Sequence, residues 1–294
     1  MNNTKHLNGG GQWQCYQHCY VRKDYETPVA GCPSFSKIEK EYCVERGLEK
    51  PDQKAFFAEY ITAADCAEPT EWWFTIKDDE YDLSKLNSHD RRNVVSFKKH
   101  CYAKAIKPAD YAKALFDCYV ASFSAYPEKY RPKTFDYDNF CADVKEWSCE
   151  NFRVYAAFTN DEDLLIGFAL VTVIGKAIKM TMQKTNPAYE KYRSNAALVD
   201  CMLHDWNEKL KTGEVYITNG SRSIKHETNF NAYLEKYFGF RKAYARLRVV
   251  YRFPFGIAVK LLKPFRKLFE HTENPFLYNL YCVLKMDSFA WRGK

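Results

Sequence analysis

Apolar positions recur along the chain with two periods, and the segments they mark predict an ordered series of helices and strands. Ser36 with Glu39 has the spacing of a capping box, and the segment to Arg46 closes on Gly47, which predicts a short helix. Pro51 then opens a second predicted helix with Phe56, Phe57, Tyr60 and Ile61 at helical spacing, ending near Asp65. Trp72, Phe74 and Ile76 alternate as a strand does, and residues 84–100 predict a basic helix carrying Arg91, Arg92, Lys98 and Lys99.

From residue 100 the order of elements carries more information. A strand over 102–106 precedes Pro108, after which Tyr111, Leu115, Cys118 and Tyr119 mark an amphipathic helix; a second helix covers 137–149. Two strand-like runs, 152–159 and 164–173, flank the polar turn Asn160, Asp161, Glu162, Asp163 and predict an antiparallel hairpin. A third strand covers 177–183. Ser194 begins a long helix through Leu198, Cys201, Met202, Asp205 and Leu210 that ends at 211–213. A strand over 214–218, a helix over 228–238 stopped by Gly239, and a basic strand over 243–253 follow. The order β-α-α-β-β-β-α-β-α-β predicts an α/β fold, a mixed antiparallel and parallel sheet flanked by helices. Three regions result: an N-terminal helical extension over 1–99, a core over 100–253 and a basic amphipathic helical tail over 254–294.

Composition narrows the class. With 46% apolar and 28% charged residues, the chain is neither disordered nor fibrous. The longest uncharged apolar run, 164–174, is too short to cross a bilayer, for which about 20 residues are needed. The first residues lack a basic start followed by an apolar stretch, so a cytoplasmic location is expected, with the 11 cysteines as reduced thiols.

Charge adds a location. Nine bases against Glu270 alone in residues 241–270 account for the whole net charge of +7, so an anionic partner is sought there first: an anionic membrane surface, which would make the chain peripheral, or tRNA. Within this stretch Ile257, Leu261, Leu262, Phe265, Leu268 and Phe269 are expected on one helix side. Lys260, Lys263 and Lys267 are expected on the other, with Pro264 kinking the helix.

Residues 100–252, by element order, resemble the core of the GNAT acyltransferases. Asn229 and Ala232, followed by Gly239-Phe240, keep the spacing of that family's Asn-x-x-Ala…Gly-Phe signature on its last core helix. The same stretch resembles the Fem-type peptidyl and aminoacyl transferases, which double this fold; by that likeness residues 1–99 are a degenerate first unit. The resemblance implies N-acyl transfer from an acyl-CoA to a small-molecule or peptide-like amine. For the Fem-type alternative the donor is an aminoacyl-tRNA, with 241–270 as its track; a non-catalytic member of the fold is the third reading. The family cradles the CoA pyrophosphate with backbone N–H groups at a helix start in a glycine-containing loop. Here that loop is Arg193-Ser194-Asn195-Ala196, which keeps the arginine and a small residue but neither glycine. Glu235 holds the position of the family's acidic tyrosine, with Tyr233 and Tyr237 on either side.

Acyl transfer to an amine needs a base for the ammonium proton, an acid for the leaving group and donors that polarise the carbonyl. His226 and Glu227 are the expected bases, Tyr233 and Tyr237 the expected acids. Gln183, Tyr192, Arg193, Ser194, Asn195, Ala196, Asn219 and Asn229 are expected to hold the cofactor, with Glu190 nearby. Cys15, His18, Cys19, Cys32 and Cys43 cluster near the N-terminus, but their spacing fits no paired-knuckle zinc pattern, and no metal is expected. Cys201 and His204 share a helix face and are expected to pack in the core.

Overall fold

A computed structural model describes residues 11–128, 131–224 and 229–291. In chain order the elements are β1 (Gln14–Tyr16), β2 (Cys19–Arg22), α1 (Phe35–Glu45), β3 (Phe57–Ala64), β4 (Trp72–Lys77), α2 (Ser88–Val95), β5 (Cys101–Ile106), α3 (Ala112–Ser122) and α4 (Tyr137–Glu146). They continue with β6 (Phe152–Thr159), β7 (Leu165–Ile174), β8 (Ala177–Thr185), α5 (Ser194–Lys211), β9 (Tyr216–Ser221), α6 (Phe230–Phe238), β10 (Arg241–Tyr251), α7 (Phe255–Leu262) and α8 (Pro275–Phe289). From β5 to β10 the order is the predicted β-α-α-β-β-β-α-β-α-β. The chain forms two compact units. Among the described residues, one comprises 11–75, 221–224 and 242–291; the other comprises those of 76–220 and 229–241.

In the second unit the strands lie in the order β9-β8-β7-β6-β5. The neighbours β5 to β8 pair antiparallel, and β8 pairs parallel with β9. The predicted hairpin is β6 and β7. Strand β7 is apolar almost throughout because both of its faces are covered. Period two sends Ala169 and Val171 into a core with Leu198, Met202 and Leu203 of α5, and Ile166, the extra residue where the pairing with β6 shifts register, joins them. Leu165, Phe168 and Leu170 enter a second core with Leu115 and Tyr119 of α3 and Phe140 and Val144 of α4. Gly167 permits a close approach: a Cβ there would lie 3.0 Å from the Thr185 side chain.

The first unit orders its strands β1-β2-β3-β10, with β4 beside β10. Strand β2 runs parallel to β3, and β3 runs antiparallel to β10. Its core gathers Trp13, Tyr20, Tyr42, Tyr60 and Ile38, five side chains at most 1% exposed. The helix predicted over 51–65 is corrected here: Phe57–Ala64 is β3, and Phe57 to Ile61 are all buried. A short apolar run covered on both faces has no period that separates strand from helix, and the pairing of β3 with β2 and β10 decides for the strand. The cap of α1 moves as well, since Ser34 rather than Ser36 accepts from the Lys37 N–H.

Candidate functional site

The site begins with an irregularity in β8. Opposite Leu170 and Val171 of β7 stand Met182 and Met180, so Thr181 is an extra residue, a bulge on β8. The Thr181 and Thr172 hydroxyls share a hydrogen bond of 2.7 Å. The parallel pairing with β9 covers Ala177 to Lys179 opposite Tyr216 to Thr218 and, among the described residues, goes no further. A bulge bends its strand and raises its twist, which accounts for the end of pairing just before Thr181.

Beyond that point each strand is tied to a helix. Gln183 of β8 donates through Nε2 to Oδ1 of Asn195, in the first turn of α5, at 2.7 Å. Asn219 of β9 donates to Oδ1 of Asn231, in the first turn of α6, at 2.6 Å. Between those two helix starts and α2 lies a cavity of about 510 Å³, walled by Asn93, Glu190, Arg193, Asn195, Asn229, Tyr233 and Tyr237, with Val94, Ala196 and Phe230 completing it.

Arg193 is held in an unusual backbone state, φ 58° and ψ 40°, where a 3₁₀ turn over Pro187–Tyr192 meets α5. A left-handed conformation costs a residue with a Cβ about 1 kcal/mol. One guanidinium nitrogen donates to the Asn93 carbonyl at 2.7 Å and fixes the side chain against α2. No acidic side chain occupies the first turn of α5, so nothing there opposes an anion at the positive end of the helix. Burial pushes the Tyr233 hydroxyl up to about 12, with the Arg193 charge pulling the other way. It therefore stays protonated at neutral pH. The Gln183 Oε1 is buried and has no hydrogen-bond partner.

Seven residues named from the sequence thus meet: Glu190, Arg193, Asn195, Ala196, Asn229, Tyr233 and Tyr237. Gln183 and Asn219 act one step back, as the ties to α5 and α6. Ser194 is buried, and Tyr192 stacks on His100 at 5.0 Å; neither lines the cavity. His226 and Glu227 lie outside the described residues. Asn93, Val94 and Phe230 were missed. No local signal marks the first two, because Asn93 reaches Arg193 across 100 residues of sequence.

A second cavity, about 410 Å³, is lined by Cys101, Asp200, Cys201 and His204 among others. Burial raises both thiols to about 11, so neither is a thiolate at neutral pH. Asp200 is itself occupied, accepting from the buried Tyr81 hydroxyl at 2.7 Å. The N-terminal thiols Cys15, Cys19 and Cys43 are buried and shifted upward by that burial, while Cys32 is exposed. Among the described residues no three His, Cys, Asp or Glu side chains are placed to hold a metal ion.

The basic stretch 241–270 is not one continuous cationic face. Arg241 pairs with Asp78, Arg246 with Glu68, Arg252 with Glu39 and Lys263 with Asp287. Among the described residues no helix is long and apolar enough to cross a membrane.

No protein-family model matches the sequence, and no curated protein matches it. Solved structures do. FemX aligns over 85% of this chain and 85% of its own, with a TM-score of 0.50 at 7% identity. A C-terminal domain, DUF2156, ascribed to a lysylphosphatidylglycerol synthetase from Agrobacterium fabrum aligns over 85% of this chain and 82% of its own, at TM-score 0.45 and 10% identity. The PaiA N-acetyltransferase of Thermoplasma acidophilum, solved with coenzyme A, covers 39% of this chain and 74% of its own, at TM-score 0.30 and 14% identity. The element order and the FemX alignment give the chain a GNAT-like fold of the Fem kind.

Proposed function

We propose that the protein is an N-acyltransferase that moves an acyl group from an acyl-thioester, an acyl-CoA, to an amine. The observation that carries this reading is the convergence of Arg193 and Asn195 at the α5 start with Tyr233 and Tyr237 of α6 around one cavity beside the strands that stop pairing. In the transfer a base takes the ammonium proton, the amine nitrogen forms a bond to the thioester carbonyl carbon, and the carbon–sulfur bond breaks. The thiolate then takes a proton. Tyr233 is the candidate donor for that last step, since its hydroxyl lines the cavity and, held up to about 12, is protonated at neutral pH. Tyr237 stands on the same wall. Glu190 is the carboxylate among the described lining residues and the candidate base there; the expected bases His226 and Glu227 lie outside the described residues.

The residues present suit the anionic end of such a donor. Arg193 brings up to five N–H donors, of which one nitrogen is engaged with Asn93, and the α5 start has no carboxylate in its first turn.

A thermal-shift titration with acetyl-CoA and CoA tests the reading. A ligand that binds only the native state stabilises it by RT ln(1 + [L]/Kd), about 2.7 kcal/mol at a hundredfold Kd. The expected result is a rise that Arg193→Glu abolishes. No rise at millimolar ligand sinks the acyl-CoA donor and leaves aminoacyl-tRNA-dependent transfer or a non-catalytic protein. Salt-dependent tRNA binding separates those two.

A further inference from the structure

We propose that α7 and the 3₁₀ turn behind it, Lys263–Phe269, form an edge that docks the protein on the surface of an anionic lipid bilayer. This inference is independent of the acyl-transfer reading. One side of α7 is committed to its own unit: Phe255 stacks on Phe57 at 6.3 Å, Val259 is buried, and Lys263 reaches the buried Asp287 at 2.8 Å. The other side is bare. Phe253, Ile257, Leu261, Phe265 and Leu268 follow one another at spacings of four and three residues and are 51% to 82% exposed. With Phe276, six of the 13 large apolar side chains exposed among the described residues fall within 24 positions.

The sequence alone puts Leu262, Phe269 and Lys263 on the faces of one regular amphipathic helix. The structure corrects this, since Leu262 and Phe269 are half-buried and Lys263 turns inward. What remains outward is a clean apolar ridge. Single exposed apolar residues are ordinary, but six within 24 positions mark a surface that something covers.

Charge selects the occupant. Lys260 and Lys267 are exposed within the ridge segment and form no ion pair among the described residues. Apolar side chains directed outward between lysines suit insertion to the acyl boundary with the ammonium groups at anionic headgroups. RNA suits the ridge less. Ile257, Leu261 and Leu268 offer no ring for a base to stack on, and the neighbouring Arg246 and Arg252 are engaged with Glu68 and Glu39. The eight residues of α7 rise about 12 Å, far short of the roughly 30 Å of a bilayer's hydrocarbon core, so the ridge suits the surface of a bilayer.

The test is co-sedimentation of the full chain with vesicles of phosphatidylglycerol and phosphatidylcholine, and with vesicles of phosphatidylcholine alone. We expect binding to the first that exceeds binding to the second. Leu261→Glu should lower the partition coefficient about tenfold or more, since it replaces an inserted apolar group by a charge repelled from the headgroups. Lys260→Glu with Lys267→Glu should lower it severalfold at low salt and less at high salt. Leu164→Glu, an exposed position of the second unit, is the control and should leave binding unchanged. Unchanged melting temperatures keep the comparison among folded proteins. Absence of binding to both vesicles, or Leu261→Glu binding like the parent, overturns the proposal. So does a dimer in sedimentation velocity that Leu261→Glu dissolves, or a tRNA complex that Leu261→Glu weakens equally.

Discussion

The two units of the molecule differ in what they present to the outside. The second unit holds both cavities and buries polar groups in partnered sets: Tyr81 with Asp200 at 2.7 Å, and Tyr155 with Asp205 at 2.6 Å and Trp206 at 2.8 Å. The first unit packs aromatic side chains at its centre, with Tyr20 and Tyr42 tilted 4.8 Å apart and Trp13 edge-on to Tyr60, and it exposes an apolar ridge. Partnered polar groups are stiff because an unpaired buried donor or acceptor costs roughly 1–3 kcal/mol, which suits a site that must hold its geometry. A ridge needs only area and accessibility. The difference separates a region suited to chemistry from a region suited to docking.

The largest expected effect breaks the two regions apart. Phe168→Ala, at a fully buried position of β7, should cost about 3–5 kcal/mol and remove the stabilisation by acetyl-CoA. Trp13→Ala in the first unit should cost a similar amount while the folded fraction still responds to ligand. Loss of the response in both variants, read by thermal denaturation with and without ligand, would remove the distinction.

Next in size, Arg193→Glu should weaken acetyl-CoA binding by ten- to a hundredfold in calorimetry, matching about 1.5–3 kcal/mol for hydrogen bonds to a charged group. The stability without ligand should barely change, because Arg193 is exposed. Tyr81→Phe should cost about 1–3 kcal/mol in urea, since it strips a buried donor from the Asp200 carboxylate.

A smaller effect concerns pH. The Tyr233 hydroxyl is held above its ordinary value of 10, so its contribution is complete below pH 10 and is lost as pH rises from 10 toward 12. Tyr233→Phe should make the alkaline fall in stability shallower without removing it, because burial raises Tyr81 and Tyr155 as well. The smallest effect sharpens the contrast from the other side: Leu261→Glu on the ridge should change stability by no more than about 0.5 kcal/mol.

Legibility differed between the same two regions. In the second unit the elements announce themselves locally: two apolar runs flanking a polar turn in β6 and β7, a long polar and apolar period in α5, Gly239 in the left-handed conformation closing α6. Most of the candidate cavity residues could be named because they lie at the starts of α5 and α6, which those signals locate. In the first unit β1 and β2 are too short to show a period, and β3 is buried on both faces, so Phe56, Phe57, Tyr60 and Ile61 read equally well as one side of a helix.

Periodicity, caps and breakers determined by themselves the order of elements from β5 to β10 and hence the class of fold, because each records how one residue is buried within its own element. Pairing decided the rest. The bulge at Thr181, the contact of Arg193 with Asn93, the strand state of β3 and the outward face of α7 all depend on which distant segments meet. Local sequence pattern carries no record of partners 100 residues away, so the cavity and the ridge exist only in the tertiary structure.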